Sequence, residues 1–363
     1  MKSAIEAVYH IRCAAEEAEG RALAVAVEQS VEMPVAAIED ERVLGEIVGE
    51  VRGVRELKPG LFEARIGLNV ETTGHDAGQL INMLFGNASL LEDVVLADAS
   101  FPAETLAAFG GPRHGLAALR ARVGAQGRAL TSSALKPQGM PAAKLADLAR
   151  RFAEGGVDYI KDDHGLADQA YSPFAERVAA VAAALRASGA RTRYVPSLTG
   201  DFRAIEAQLR VAREAGIDTV MLAPMVSGLS NMQALVRGNS DMALLAHPSL
   251  GGAARIAPPL LIGKLFRLIG AGAVVFPNYG GRFGYSRDTC RALARAALDP
   301  WGGLEPAVPV PAGGMTLARV PELLDFYGAE VMLLIGGNLL AARERLVDET
   351  AAFVSSVERY SYG

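Results

Sequence analysis

The segment Lys161-Asp162-Asp163-His164 ends a short apolar run that is typical of a buried strand. Side chains alternate between the two faces of a strand, so Lys161 and Asp163 are predicted to share one face while Asp162 points to the other. A cation beside two groups that offer oxygen or nitrogen ligands indicates a metal site built with a modified lysine. The alternative is a lysine paired with a carboxylate at a strand end, and spacing alone favours that alternative.

A second lysine, Lys136, follows another predicted strand in Ala134-Leu135-Lys136-Pro137. The two lysines are predicted at the ends of neighbouring strands, where two unpaired ammonium groups would repel each other. Reaction of Lys161 with CO2 would turn one cation into an anionic carbamate. The carbamate, Asp163 and His164 could then hold Mg²⁺, which prefers oxygen ligands. Such an ion would stabilise the enediolate of an α-hydroxyketone, with Lys136 as the general base or acid.

Glycine pairs follow the last two predicted strands, as Gly313-Gly314 and Gly336-Gly337. Paired glycines let backbone N–H groups approach an anion closely, although tight strand-to-helix turns also require glycine. Two such pairs at adjacent strands favour a phosphate site. His247 ends the fifth predicted strand and is either a histidine with satisfied hydrogen bonds or a substrate contact.

Strand-like and helix-like segments alternate from about Ala129 onward and must position these groups. The predicted strands are Ala129–Leu135, Tyr159–Asp163, Arg193–Leu198, Thr219–Ala223, Met242–His247, Ala273–Pro277, Ala307–Pro311 and Glu330–Ile335. The amphipathic helices between them include Ala142–Glu154, Pro173–Ser188, Asp201–Ala215, Pro258–Ile269, Ser286–Ala297 and Leu317–Tyr327. Eight units predict an α/β fold, a (β/α)8 TIM barrel with its site at the C-terminal strand ends. A doubly wound open sheet is the competitor, weakened because no Gly-x-Gly-x-x-Gly turn follows the first strand.

The N-terminal part of the chain has a different pattern. Alternating strand patterns occur around Ala4–Arg12 and Leu44–Leu68, and helices are predicted around Glu16–Gln29 and Asp76–Phe85. This is an α+β arrangement of the ferredoxin-like, split βαβ kind. The sequence therefore predicts an N-terminal α+β domain over residues 1–112 and a barrel domain over residues 113–363.

Composition excludes several classes of protein. The 363 residues carry a formal net charge of −5 without a dense Lys/Arg run, which argues against a nucleic-acid partner. The first residues lack the apolar core of a signal peptide, and no apolar run reaches membrane-spanning length. Cys13 and Cys290 match no metal or redox spacing and are predicted to be reduced structural thiols of a cytoplasmic protein.

The motifs, taken in order, resemble the large subunit of ribulose-1,5-bisphosphate carboxylase. They are Ala-Leu-Lys136-Pro, Gly-Gly-Val-Asp-Tyr-Ile-Lys161-Asp-Asp163-His164, Leu-Ala-His247-Pro, Pro-Ala-Gly-Gly314-Met and Ile-Gly336-Gly337-Asn, with Val-Glu28-Gln-Ser, Met-Leu-Phe-Gly-Asn87 and Phe-Gly-Gly-Pro-Arg-His-Gly upstream. The resemblance implies an α+β N-terminal domain, a (β/α)8 barrel, and a homodimer or higher homo-oligomer whose sites form between subunits.

The resemblance also implies a role for each matching residue. Lys161 takes the carbamylated position, Asp163 and His164 take metal-ligand positions, and Lys136 takes the proton-transfer position. Glu28 and Asn87 would reach into the active site of the other subunit.

Departures from the carboxylase pattern argue against carbon fixation. His164 stands where the carboxylases have glutamate, which changes the metal ligand itself. The loop Asn278–Ser286 lacks their CO2-positioning lysine and has Arg282 as its only cation, so Asn278 and Arg282 become candidates for substrate contacts.

One of the two phosphate sites of the carboxylases is also missing. The second phosphate is held there by an arginine, a histidine and a serine, and these positions are Pro248, Phe276 and Ala312 here. The remaining phosphate site is Gly314, Gly336 and Gly337. The chain therefore resembles a RuBisCO-like protein that acts on a sugar monophosphate without carboxylase activity.

Three activities of RuBisCO-like proteins fit a monophosphate substrate. The 2,3-diketo-5-methylthiopentyl-1-phosphate enolases carry a lysine base where this chain has Asn87, which argues against that activity. The short, alanine-rich chain favours isomerisation of 5-methylthioribulose-1-phosphate over decarboxylation or transcarboxylation of 3-oxo-isoapionate-4-phosphate. A catalytically silent scaffold is the alternative of a different class, and His164 in place of glutamate is the feature that suggests it.

Overall fold

The computed structural model describes residues 4–362, which form two compact units. One unit contains the residues up to Gly110 together with Leu250–Leu261, and the other contains Gly111–Ser249 and the residues from Ile262 onward. The short segment Leu250–Leu261 therefore belongs with the N-terminal residues, although it lies between two strands of the barrel in sequence. A domain boundary between residues 112 and 113 stays a prediction.

The first unit is built on a four-stranded antiparallel sheet in the order β2-β3-β1-β4. The strands are β1 Ala4–Arg12, β2 Glu50–Lys58, β3 Leu61–Asn69 and β4 Val94–Ser100. Its helices are α1 Ala18–Glu28, α2 Val70–Thr73, α3 Ala77–Phe85 and α4 Ala103–Phe109, with 3-10 turns at Ala15–Glu17, Val35–Ala37 and Asn87–Leu90. Every second residue of β1, from Ile5 to Ile11, is buried, as its alternating pattern predicts. The strand order confirms the ferredoxin-like α+β prediction.

The strand pattern predicted over Leu44–Leu68 is wrong at its N-terminal end. Val43–Ile47 forms a π-helical turn rather than a strand. The Asp40 side chain accepts a hydrogen bond from the Val43 backbone N–H at 3.0 Å, and the Asp40 carbonyl accepts one from Leu44. These local bonds satisfy the backbone and outweigh the apolar alternation.

The segment Leu250–Leu261 pairs with the edge strand of this sheet. The Leu96 N–H donates to the Arg255 carbonyl at 3.0 Å, and the Ala257 N–H donates to the Leu96 carbonyl at 2.8 Å. The pairing satisfies backbone groups on the outer edge of β4, which would otherwise be free to pair with another chain.

The second unit is a closed barrel of eight parallel strands. They are β5 Leu130–Leu135, β6 Tyr159–Asp162, β7 Arg193–Val195, β8 Thr219–Leu222, β9 Ala243–Ala246, β10 Ala273–Pro277, β11 Val308–Ala312 and β12 Met332–Leu334. The sheet order β7-β6-β5-β12-β11-β10-β9-β8 is closed between Ser197 and Met221, where the Leu198 N–H donates to the Met221 carbonyl at 2.8 Å. Closure confirms the TIM barrel and excludes the open sheet.

The six helical segments predicted for this unit are helical, with small differences at their ends, and the unit also contains helices that the sequence did not single out. They are α5 Leu116–Val123, α6 Ala142–Glu154, α7 Phe174–Ser188, α8 Phe202–Glu214, α9 Pro224–Ser227, α10 Leu229–Gly238, α11 Phe266–Ile269, α12 Arg287–Leu298, α13 Val320–Tyr327, α14 Gly337–Leu340 and α15 Leu346–Glu358. A π-helical segment, Pro259–Leu265, precedes α11, and 3-10 turns occur at Leu317–Arg319 and Arg343–Arg345. Within residues 4–362, no helix is both long and apolar enough to span a membrane.

The barrel interior is a packed apolar core. All eight strands contribute to one buried cluster, which includes Leu130, Tyr159, Val195, Met221, Leu245, Val275, Val310 and Met332. Because the interior is filled, polar side chains gather where the strands end, and the loops at the C-terminal ends carry the predicted site.

Candidate active site

Two neighbouring strands place Lys136 and Asp163 side by side. Leu135 pairs with Asp162 in the parallel register of β5 and β6, so the residue that follows each strand lies at the same edge of the barrel. The Lys136 Nζ lies 2.8 Å from the Asp163 Oδ1, and the lysine side chain is 35% exposed. Asp163 therefore neutralises Lys136, so the two lysines are not both unpaired ammonium groups.

Lys161 lies deeper in the barrel than Lys136. Its side chain is 3% exposed, and its Nζ donates to the backbone carbonyl of Asp162 at 2.8 Å. Burial lowers the pKa of Lys161 to about 8, the charge of Lys136 acts in the same direction, and Asp163 opposes both. The structure thus places a lysine whose pKa is lowered by burial at the end of β6.

Asp163 receives hydrogen bonds from two directions. Its Oδ1, which faces Lys136, also lies 3.3 Å from the Nδ1 of His164. Burial opposes ionisation of this carboxyl, but the hydrogen bonds from His164 and Lys136 outweigh burial and hold its pKa below the ordinary value. Asp163 is therefore an anion that fixes the positions of both neighbours.

His164 and His247 stack on each other across the barrel mouth. Their ring centroids are 4.6 Å apart and the planes differ by 6°. Burial, together with the charge of Lys161, lowers the pKa of His247 to about 2, so this imidazole is neutral near pH 7. The Ser249 backbone N–H and hydroxyl lie 3.3 and 2.9 Å from the Nδ1 of His247. A backbone N–H can only donate, so Nδ1 is the acceptor and the ring proton is on Nε2.

A buried polar network lies behind the lysines, and sequence reasoning missed all of it except Asp162. The Asp162 carboxylate accepts hydrogen bonds from Arg177 Nε at 3.2 Å, Tyr194 Oη at 2.7 Å and the Ser197 N–H at 3.1 Å. Both Asp162 and Arg177 are completely buried. The opposite orientation of Asp162 and Asp163 agrees with the predicted alternation. The signal that could have revealed this network is that a buried aspartate needs a buried partner.

The glycine-rich loops meet in order around the barrel mouth. A Cβ atom at Gly314, whose φ is +69°, would lie 2.5 Å from the Cα of Gly281. The Leu317 N–H donates to the Asn338 Oδ1 at 3.3 Å, which links the loops after β11 and β12. A Cβ atom at Gly336 would lie 3.9 Å from the Lys136 Cε. The structure therefore places Gly336 beside Lys136 and ties the loop that contains Gly314 to the one that contains Gly336 and Gly337.

The predicted substrate loop after β10 divides into a buried and an exposed part. Asn278 is completely buried, and its Oδ1 accepts a hydrogen bond from the Tyr327 hydroxyl at 2.8 Å. Its Nδ2 has no hydrogen-bond partner among the described residues. Arg282 is exposed, with its guanidinium 5.5 Å from the ring centroid of Phe283. The structure does not bring Arg282 together with the lysine pair through any described contact.

The two predicted residues of the N-terminal unit lie together. The Asn87 Nδ2 donates to Glu28 Oε1 at 2.8 Å and to Glu32 Oε1 at 2.9 Å. Sequence reasoning paired Asn87 with Glu28 but did not include Glu32.

Comparisons with known proteins identify the family. The family model "Ribulose bisphosphate carboxylase large chain, catalytic domain" matches residues 115–343. The chain is 59% identical over 362 residues to a 5-methylthioribulose-1-phosphate isomerase of Rhodospirillum rubrum, and the alignment covers 98% of this chain and 97% of that one. This chain belongs to the RuBisCO large-chain family.

Two further relatives show which branch of the family this chain resembles. A crystal structure of a Rubisco-like protein from Rhodopseudomonas palustris superposes with a TM-score of 0.94 at 52% identity, and the match covers all of both chains. A 2,3-diketo-5-methylthiopentyl-1-phosphate enolase of Geobacillus kaustophilus is 32% identical, covering 94% of this chain and 88% of that one. The RuBisCO-like, non-carboxylating members are thus its relatives, as the sequence motifs predicted.

The donor set at the barrel mouth of this RuBisCO-like protein suits a divalent ion only if Lys161 is modified. Among the described residues, no group of three or more His, Cys, Asp or Glu side chains is arranged to hold a metal ion. Asp163 and His164 supply two candidate ligands, and Lys161 lies beside them. Magnesium and a carbamylated lysine are typical of the family, and a carbamate on Lys161 would provide the third donor.

Proposed function

We propose that this protein is a 5-methylthioribulose-1-phosphate isomerase that works by enolisation and proton transfer. The observation that carries the proposal is the 59% identity to the Rhodospirillum rubrum isomerase across nearly the full length of both chains. The enolase relative is much less similar, at 32%. The lysine–aspartate pair, the buried second lysine and the neutral histidine supply groups that such a reaction needs.

Lys161, as its carbamate, would hold Mg²⁺ together with Asp163 and His164. The ammonium first loses one proton; the neutral amine then attacks CO2, a C–N bond forms while one C–O π pair moves onto oxygen, and a second proton leaves the nitrogen, so that a cation becomes an oxygen anion. At pH 8, a pKa of about 8 rather than 10.5 raises the reactive fraction of Lys161 roughly 150-fold. The Nδ1 of His164 faces Asp163, so in the neutral ring Nε2 is the nitrogen available as a ligand. The bound ion would polarise the ketose carbonyl and offset the negative charge that develops on the substrate oxygens.

Lys136 is the proposed proton carrier. In its unprotonated form its Nζ removes a proton from the carbon next to the substrate carbonyl, and the C–H electron pair forms the enediolate. Return of that proton to the former carbonyl carbon makes a new C–H bond, the proton of the neighbouring hydroxyl moves to the former carbonyl oxygen, and the carbonyl shifts by one position. Asp163 holds the Nζ at 2.8 Å and thereby restricts where the proton is taken and returned.

His247 is proposed to contact the substrate through its Nε2–H. Ser249 donates to Nδ1, so the ring presents Nε2–H as a neutral hydrogen-bond donor. A neutral donor can stabilise a developing oxyanion without losing its own proton. The backbone N–H groups of Gly314, Gly336 and Gly337 are proposed to bind the substrate phosphate.

We also propose that the protein acts as a homodimer or higher homo-oligomer in the cytoplasm, in which Glu28 and Asn87 complete the partner subunit's site. The hydrogen bond between the two side chains supports a joint role. Light scattering on the native protein tests the assembly, and a monomer mass would contradict it.

Incubation of the protein with 5-methylthioribulose-1-phosphate, Mg²⁺ and bicarbonate in D2O tests the reaction. NMR should show deuterium entering next to the carbonyl and a positional isomer accumulating. Lys161→Ala should abolish turnover, and Lys136→Ala should lower kcat by about 10²- to 10⁴-fold. Lys144→Ala, at an exposed lysine of α6, is the matched control and should behave as the wild type.

Several outcomes contradict the proposal. Turnover retained by Lys161→Ala with Mg²⁺ would exclude the carbamate. Exclusive turnover of 2,3-diketo-5-methylthiopentyl-1-phosphate would indicate an enolase, the activity named for the 32% identical relative. The same assay covers 3-oxo-isoapionate-4-phosphate, and no reaction with any of the three substrates would favour a silent scaffold.

A further inference from the structure

A cavity opens at the end of the barrel opposite the lysine pair. Its volume is about 460 Å³, within the range typical of small-molecule sites. It is lined by the end of α5, the C-terminal part of α7 and the segments that lead into β7 and β8. Because the barrel strands are parallel, these N-terminal strand ends lie on the face away from Lys136 and Lys161.

The charged side chains that line this cavity are mostly arginines. Arg122, Arg186, Arg191 and Arg193 lie on its walls, and Asp218 is the one carboxylate among the lining residues. Asp218 faces Arg122 Nε at 3.3 Å and Arg193 Nη1 at 3.6 Å. One carboxylate against four guanidinium groups leaves the cavity with an excess of positive charge.

Two of the arginines, Arg186 and Arg193, are held in place by neutral backbone carbonyls, which orient a guanidinium group without neutralising it. Arg193 donates to the Arg122 carbonyl at 3.3 Å through both Nε and Nη2, and Arg186 Nη1 donates to the Ala215 carbonyl at 2.9 Å.

Arg122 has a donor that no described residue satisfies. Its side chain is 13% exposed, and its Nη1 is buried without a hydrogen-bond partner among residues 4–362. A buried donor without an acceptor costs roughly 1–3 kcal/mol, which an ordered water or an anion bound against this side chain would offset.

We propose that this cavity binds the phosphate group of a small molecule, a phosphomonoester or a pyrophosphate. Guanidinium groups match phosphate oxygens through paired, charge-assisted hydrogen bonds, and several positive charges suit a multiply charged anion better than a single carboxylate. The small volume and the formal net charge of −5 for the whole chain disfavour a long polyanion such as nucleic acid.

Calorimetric titration of the full-length protein with inorganic pyrophosphate tests the proposal. The double variant Arg186→Gln/Arg191→Gln should bind about 10- to 100-fold more weakly. Both arginines are exposed, so their loss leaves the core unchanged. The matched control is Arg203→Gln/Arg210→Gln, which removes two exposed arginines from α8 outside the cavity and should keep the wild-type affinity.

Hydrogen–deuterium exchange separates this site from the glycine loops of the catalytic face. Pyrophosphate should protect amides in residues 186–193 and 215–218 from exchange. This protection is expected whether or not the amides of residues 313–316 and 336–338 are also protected. Protection confined to the glycine loops, or equal losses of affinity in both double variants, would overturn the proposal. Titration with phosphate, a sugar monophosphate and a nucleoside diphosphate then ranks the ligand chemistry.

Discussion

Replacement of Arg177 by methionine tests whether the buried network behind the lysine pair stabilises the barrel. Arg177 donates to Asp162 at 3.2 Å, to the Ser172 carbonyl at 2.7 Å and to the Ala167 carbonyl at 2.9 Å. Methionine keeps most of the side-chain volume but removes all three bonds. The Asp162 carboxylate would stay buried with only Tyr194 and the Ser197 N–H as donors.

The expected loss of stability is about 3–5 kcal/mol, because one partner of a completely buried ion pair is removed and the other is left uncompensated. For a unit of this size, each kcal/mol corresponds to roughly 2–4 °C in Tm, so the melting temperature should fall by about 6–20 °C. Differential scanning calorimetry measures this change. Arg186→Met, at an exposed position of the same helix, is the control and should change Tm by less than about 4 °C.

The double variant Asp162→Asn/Arg177→Met identifies the cause. If the unpaired carboxylate is responsible, the double variant should lose less stability than the sum of the two single variants. A fall of less than about 2 °C in Arg177→Met, or strict additivity in the double variant, would refute the reasoning.

Two further predictions concern the candidate site itself. Burial lowers the pKa of Lys161 to about 8, so the unprotonated amine increases as pH rises through that value. The NMR signal of a carbamate formed from ¹³C-bicarbonate should therefore rise around pH 8 rather than near 10.5. A midpoint of that rise above about pH 10 would contradict the lowered pKa. Gly314→Ala should raise KM for the substrate at least about 10-fold and destabilise the protein by roughly 1–3 kcal/mol, because φ is +69° and the new Cβ would lie 2.5 Å from Gly281 Cα. Gly337→Ala, where a Cβ meets nothing within 4 Å, should keep the wild-type Tm, and equal melting temperatures for both variants would exclude the steric argument.

Periodicity predicted the elements that local patterns encode. The alternation of β1 and the apolar runs of the eight barrel strands are confirmed, since burying one face of a strand, or both, leaves a direct trace in the sequence. The strand predicted over residues 44–47 was wrong because the Asp40 side chain accepts a hydrogen bond from the Val43 N–H, and this local bond caps a helical turn there. No periodicity in the sequence predicts the pairing of Leu96 with the segment around Ile256, because this pairing joins residues far apart in the chain.

The sequence by itself determined the barrel, the order of the polar groups at its strand ends and the family, because side-chain period and motif order are local properties. Only the tertiary structure decided which groups meet. The parallel register of β5 and β6 pairs Asp163 with Lys136 and leaves Lys161 buried, and it is burial that lowers the pKa of Lys161. Closure of the barrel likewise stacked His164 on His247 and gathered four arginines at the opposite end. Distances between side chains on different strands depend on register and closure, which no single segment of the sequence encodes.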